Sequence, residues 1–270
     1  MTSGLSRSVG LTLCWLTLAS CRDTTTETET AEVPLPARPE LAVGSNTWVT
    51  RADMPTERWN VTTAVVPNAA GQSILYAIGG TSIVSGGSLS KVQAYNVATN
   101  TWIARAPLPV PLYATNGAQV IRAKVYVSGG VTSYKGYQAS LYIYDPATNS
   151  WTRKHDMPNT TYAGVSGVIN DKLYVLTGCD QEDCYPSQAD AFFYRYDPAA
   201  NQWTVFPTPP SLHSGGVGAA IGGKFYVAGN AYGGRQLDVY DPATNRWTTK
   251  ASAPVDREAP EWHSAASSTC

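Results

Sequence analysis

Residues 144–151 read Tyr-Asp-Pro-Ala-Thr-Asn-Ser-Trp. Asp-Pro starts a turn because proline fixes φ, and the asparagine that follows tolerates left-handed backbone geometry. The Tyr before the turn and the Trp after it then sit on two antiparallel strands of one hairpin. The phrase recurs as Tyr196-Asp197-Pro198-Ala199-Ala200-Asn201-Gln202-Trp203 and as Tyr240-Asp241-Pro242-Ala243-Thr244-Asn245-Arg246-Trp247. A looser copy is Tyr95-Asn96-Val97-Ala98-Thr99-Asn100-Thr101-Trp102. Trp48, Trp102, Trp151, Trp203 and Trp247 therefore mark intervals of 54, 49, 52 and 44 residues. Self-similarity at a fixed period of this size is the signature of a repeat architecture.

Upstream of each phrase lies a second one. Ile74-Leu75-Tyr76-Ala77-Ile78-Gly79-Gly80 recurs as Lys124-Val125-Tyr126-Val127-Ser128-Gly129-Gly130. It recurs again as Lys172-Leu173-Tyr174-Val175-Leu176-Thr177-Gly178, with Cys179 for the second glycine, and as Lys224-Phe225-Tyr226-Val227-Ala228-Gly229, followed by Asn230. A β-branched and aromatic run stopped by glycine reads as a buried strand ending where the backbone needs positive φ or close packing. A strand of small residues precedes each run, over 61–66, 117–121, 165–169 and 216–221. Asn170-Asp171 and Gly222-Gly223 read as tight hairpin turns.

Each unit is thus four short strands joined by turns. The double glycine, the later Tyr and the Trp a turn further on resemble the kelch motif, over roughly residues 46–254. That resemblance implies an all-β fold, a kelch-type β-propeller with one four-stranded blade per repeat. The repeated Trp is expected between blades, because a single blade cannot bury its own faces. Four blades are recognisable, over 44–254, and the ring is expected to be incomplete. Trp48 reads as part of an opening strand that in the family completes the last blade. After Ala253-Pro254-Val255-Asp256-Arg257 no Gly-Gly strand follows, and 255–270 reads as an irregular tail. An arc with open edges invites self-association.

Composition excludes some functions. The net charge of −1 and a charged fraction of 14% leave no basic footprint for nucleic acid. The N-terminus resembles a bacterial lipoprotein signal peptide over 1–20: Arg7, an apolar run Val9–Leu18, then Leu18-Ala19-Ser20-Cys21. The resemblance implies lipid on Cys21 and an exported protein held in the cell envelope. Arg22, in place of the Asp that retains some lipoproteins at the inner membrane, favours the outer membrane or cell surface. Thr/Glu alternation and repeated Pro make 21–43 a linker with no apolar face to bury. In an oxidising compartment Cys179 and Cys184 read as a small disulfide loop. A metal clip through Asp180, Glu182 and Asp183, or free thiols, are the alternatives.

In kelch propellers the ligand face is built from the inter-blade loops and the loops after the Gly-Gly strand. The first set offers Arg58, Tyr113, Tyr162 and His213, each the one large polar or aromatic side chain of its loop. The second adds Tyr134, Tyr232 and Arg235. These are expected to face a protein or glycan ligand, since Arg and Tyr commonly anchor interfaces. No Walker loop, G-x-S-x-G, H-E-x-x-H or Zn-type Cys cluster is present. The reading is a binding module with no catalytic set, no metal and no cofactor. Two enzymatic alternatives share the fold: a sugar mutarotase type, and a galactose-oxidase type needing Tyr and His ligands for copper. A truncated, non-functional fragment of a longer protein is the third alternative.

Overall fold

The computed structural model describes residues 48–178, 191–230 and 234–254. Cys21, Cys179, Cys184, Tyr232, the linker and the tail fall outside them. The chain divides into two units, Met1–Val49 and Thr50–Cys270, and every described strand belongs to the second.

In chain order the strands begin with β1 (Arg58–Trp59), β2 (Thr62–Pro67), β3 (Ser73–Ile78), β4 (Thr81–Ser82), β5 (Val92–Asn96) and β6 (Thr101–Arg105). Next come β7 (Ala118–Ile121), β8 (Lys124–Ser128), β9 (Val131–Thr132), β10 (Gly136–Tyr137), β11 (Leu141–Asp145) and β12 (Ser150–Arg153). Then follow β13 (Val165–Ile169), β14 (Lys172–Leu176), β15 (Phe193–Asp197) and β16 (Gln202–Phe206). The last are β17 (Val217–Ile221), β18 (Lys224–Ala228), β19 (Leu237–Asp241) and β20 (Arg246–Lys250). Four antiparallel meanders result: β2-β3-β5-β6, β7-β8-β11-β12, β13-β14-β15-β16 and β17-β18-β19-β20. These are the four expected blades. Two short ribbons, β1–β4 and β9–β10, sit in the loops. Neighbouring blades touch through β2 and β7, β7 and β13, and β13 and β17, and among the described residues they form an arc and not a closed ring. Residues 48–50 form no strand and Trp48 is exposed, so the expected opening strand is not there. A strand needs a neighbour to satisfy its ladder groups, and residues 48–50 pair with no strand among the described residues.

Three apolar cores lie between consecutive blades. The first joins Val66, Ile74, Tyr76 and Ile78 to Val125, Val127 and Tyr144. The second joins Tyr126, Leu141 and Ile143 to Leu173, Val175 and Tyr196. The third joins Val165, Ile169, Tyr174 and Phe193 to Phe225, Val227 and Tyr240. Alternation along each strand sends odd and even residues to opposite faces, so each of the two inner blades serves two joints and each end blade one.

The Trp of each repeat lies on the outermost strand, half-buried, and does not form the centre of a joint. It packs on the Tyr of its own phrase, with ring centroids 5.1, 5.0, 5.0 and 5.4 Å apart in the four blades. Its indole N–H reaches the crossover arriving from the preceding blade. Trp151 Nε1 donates to the Ala106 carbonyl at 2.9 Å, and the Asn149 side-chain oxygen accepts from the Ala106 N–H at 3.0 Å. The Tyr144 hydroxyl donates to the same Asn149 oxygen at 2.7 Å. Identical clamps hold Ala52 through Tyr95, Asn100 and Trp102, and His155 through Tyr196, Asn201 and Trp203. In the fourth, Trp247 holds Pro207, which has no N–H to give Asn245. The four asparagines have φ of 51–55°, so this position needs both a left-handed backbone and an acceptor. Burial pushes the hydroxyls of Tyr144, Tyr196 and Tyr240 up to about 12, which keeps them donors.

The turn joining a blade's first two strands is Asn170-Asp171 in the third blade and Gly222-Gly223 in the fourth, all at positive φ as expected. The second blade uses Arg122 and Ala123 at φ of 49° and 60°. Alanine has no side-chain bond to offset left-handed geometry, which costs about 1–2 kcal/mol. Ala123→Gly is therefore expected to raise stability by about 1 kcal/mol. A higher denaturant midpoint at unchanged slope is the readout, and an unmoved midpoint would show that the turn relaxes freely.

Candidate partner-binding face

One end of the arc is built where two kinds of loop meet. The crossover entering each blade runs beside the loop that leaves the preceding Gly-Gly strand. Gly80 N–H donates to the Leu112 carbonyl at 2.8 Å, and Gly130 N–H to the Thr161 carbonyl at 2.8 Å. Pairing Trp59 with Thr81, and bridging Tyr113 to Val131, repeats the arrangement within blades.

A residue at positive φ marks the start of each blade: Asn60, Ala114, Ala163 and Gly215. Aligned on it, Trp59, Tyr113, Tyr162 and Ser214 share one position, and Arg58, Leu112, Thr161 and His213 share the one before. Backbone this extended alternates its side chains, so the two positions point to opposite sides. Sequence reading grouped Arg58 and His213 with Tyr113 and Tyr162. The structure separates them.

Arg58 is buried and acts as an internal strut. Its guanidinium donates to the Gly79 carbonyl at 2.9 Å, the Lys91 carbonyl at 2.8 Å and the Gln93 side chain. Burial pushes the guanidinium below its ordinary value. His213 is also buried. Nδ1 lies 2.9 Å from the Gly229 carbonyl and Nε2 lies 3.0 Å from Asp238 Oδ2. Neither side chain reaches a ligand on the loop face.

In the first three blades the outward position carries the surface, whereas Ser214 of the fourth is buried. Trp59 is 59% exposed, and Tyr113 and Tyr162 are half-buried. Tyr137 stacks on Tyr162 with centroids 4.9 Å apart and planes 15° from parallel. Tyr134 is exposed, with the Lys135 ammonium 5.5 Å from its ring. Ile83 and Val84 are exposed at the tip of the first blade's loop. Ser88 and Ser133 exchange bonds across the first two blades, each backbone N–H donating to the other's hydroxyl at 2.7 and 3.1 Å. Arg235 is exposed, and its carbonyl accepts from Ala253 N–H at 2.9 Å.

Sequence reading missed two residues. Trp59 was passed over because its larger neighbour in charge, Arg58, drew the assignment. Asn116 is a buried hub between the second and third blades. Its side-chain oxygen accepts from Gly164 N–H at 3.0 Å, and its backbone carbonyl accepts from the Ser166 hydroxyl at 2.6 Å. No group of three or more metal-ligating side chains occurs among the described residues.

Four meandering blades, joined face to face and tied by Tyr/Asn/Trp clamps, define a β-propeller segment of the repeat type. The family described as the KLHDC2/KLHL20/DRC7 Kelch-repeats domain matches residues 63–269, and the chain belongs to the kelch-repeat family. Kelch-like protein 25 of Xenopus tropicalis is 28% identical over 233 residues, covering 80% of this chain and 38% of that protein. The putative F-box/kelch-repeat protein At1g27420 of Arabidopsis thaliana is 32% identical over 144 residues, covering 50% of this chain and 40% of that one. The chain thus spans less than half the length of these curated relatives. The solved structure of YjhT superposes with a TM-score of 0.63 at 17% identity, over 78% of this chain and 76% of that one, a likeness of fold.

Proposed function

We propose that the chain is a binding module, held in the cell envelope by lipid on Cys21 and lifted off the membrane by the 21–43 linker, whose loop face takes a protein partner. The row Trp59, Tyr113 and Tyr162, at one repeat position with Tyr134 and Tyr137 beside it, carries the reading. Aromatic side chains on a rigid scaffold give large contact area at little entropic cost, and Trp and Tyr are enriched among residues that dominate binding energy. Exposed Ile83 and Val84 extend the same face. The kelch relatives are compatible with a partner-binding role.

The stacked Tyr137–Tyr162 pair supports a glycan as a second reading, because a flat aromatic surface can pack against a sugar ring. The enzymatic version of that reading is weaker. Arg58 and His213, the groups best suited to acid–base or metal chemistry there, are bound internally.

Displayed peptide libraries selected on the purified protein are expected to yield binders that lose about ten-fold or more in affinity with Trp59→Ala. Thermal melting should stay unchanged. Binders indifferent to both Trp59→Ala and Tyr162→Ala would move the site elsewhere. Turnover in a sugar panel, with or without copper, would replace the binding reading by the enzymatic one.

A further inference from the structure

The two end blades of the arc carry the two unmatched halves of one joint. In the third blade Val165 and Ile169 are each 4% exposed, because the fourth blade covers them. Val217 and Ile221 hold the same positions in the fourth blade and are 68% and 59% exposed. Ladder partners across an antiparallel pair share a face. Val217, Ala219 and Ile221 therefore share theirs with Ala228, Tyr226 and Lys224. The first blade shows the complementary half. Val65 pairs with Leu75 and Thr63 with Ala77, on the side away from the second blade. Val65 is 54% exposed, whereas its counterparts Val120 and Val168 pack into joints.

We infer that the fourth blade of one copy docks on the first blade of a second copy, forming a head-to-tail joint that continues the three joints inside the chain. The occupant follows from the repeat itself. Every formed joint pairs a Val165-type face with a Val65-type face, and among the described residues one of each is left exposed. Such a contact is heterologous: different patches meet, unlike the self-matching patch of an ordinary two-fold dimer. At one level the fit differs from the internal joints. Gly117 meets Ser166 and Val165 meets Gly218 there, and by repeat position Ala118 is the residue opposite Thr62 in the first joint, so each formed joint has a small residue. Across copies Val217 would face Thr63, both β-branched. Thr63→Ala is thus expected to tighten the contact, and a weaker contact would overturn the geometry.

The deciding experiment is analytical ultracentrifugation of the purified full chain and two charge variants, Val217→Lys and Val65→Lys. The unaltered chain should associate at micromolar concentration. Each variant alone should be monomeric, because it has lost one half of the joint. An equimolar mixture of the two should form a one-to-one dimer through the halves left intact. Equal melting temperatures show that the variants fold, and Ile221→Lys serves if Val217→Lys does not. A monomeric unaltered chain would overturn the inference. So would a Val65→Lys chain that associates alone, since that contact would be like-with-like.

Discussion

Asp238→Ala is expected to lower the unfolding free energy by about 3–5 kcal/mol, because three donors lose one buried acceptor at about 1–3 kcal/mol each. The Asp238 side chain is fully buried and accepts three bonds: from His213 Nε2 at 3.0 Å, Ser211 N–H at 3.1 Å and the Thr249 hydroxyl at 2.7 Å. His213 faces an acceptor at each ring nitrogen, a carbonyl and a carboxylate. Truncation would therefore leave the His213 ring, the Ser211 N–H and the Thr249 hydroxyl without their shared acceptor. Burial pushes the Asp238 carboxyl up, but the bonds from Thr249, His213 and Ser211 outweigh it, and the group ends below its ordinary value. A depressed carboxyl stabilises fully above its unfolded value of about 3.9 and loses that contribution as pH falls through the lower folded value. Denaturant melts across the acid range should show the unaltered protein losing stability that Asp238→Ala has already lost. Parallel acid profiles for the two proteins would mean that the carboxylate is not holding the fourth blade.

The second large effect is at Gly129. Its φ is 64°, and a Cβ there would lie 2.6 Å from the Thr161 carbonyl oxygen and 2.7 Å from Asn116 Nδ2. Left-handed geometry costs a non-glycine residue about 1–2 kcal/mol, and forcing atoms into packed structure about 1–3 more. Gly129→Ala is thus expected to cost about 3–4 kcal/mol. Gly136 separates the two contributions, since its φ is 67° and no atom lies within 4 Å of the added carbon. Gly136→Ala should cost only the conformational part, about 1–2 kcal/mol by chemical denaturation. Equal losses at both glycines would show that the second-to-third blade joint accommodates the methyl group.

The blades were legible because their marks are local. The Tyr-x-x-x-x-Asn-x-Trp phrase and the glycine that ends the preceding strand report turn geometry that depends on a few neighbouring residues, and both recur in register four times, Tyr-Asp-Pro in three of the copies and Gly-Gly in two. The Lys that opens the second strand has a role that the sequence does not declare. Lys124, Lys172 and Lys224 lie 2.7, 2.6 and 2.7 Å from Asp145, Asp197 and Asp241, the aspartates of the turn phrase. The face was only half legible. Which of two adjacent residues points outward depends on a single backbone angle, at Asn60, Ala114, Ala163 and Gly215, and three different residue types fill that place. Charge was then a poor guide to exposure. Arg58 with Gln93 and His213 with Asp238 occupy matching positions in the end blades, where the inner blades carry Leu112 with Tyr142 and Thr161 with Tyr194. Polar pairs of this kind are compatible with burial when most of their donors meet acceptors, as at both terminal nitrogens of Arg58, though its Nε has no partner among the described residues.

The clamps have a consequence for how such an array can change. Trp and Asn grip the N–H and carbonyl of the fourth residue after the preceding Trp, and ignore its side chain. Ala52, His155 and Pro207 accordingly turn outward, and their chemistry has nothing in common. Inheritance can rewrite that site in these three seams, whereas Ala106 of the remaining one packs against the first core, and proline alone cuts one of the two strings. A row of interchangeable surface positions is thus built into the seams, open to new specificities while the scaffold that displays them stays as it is.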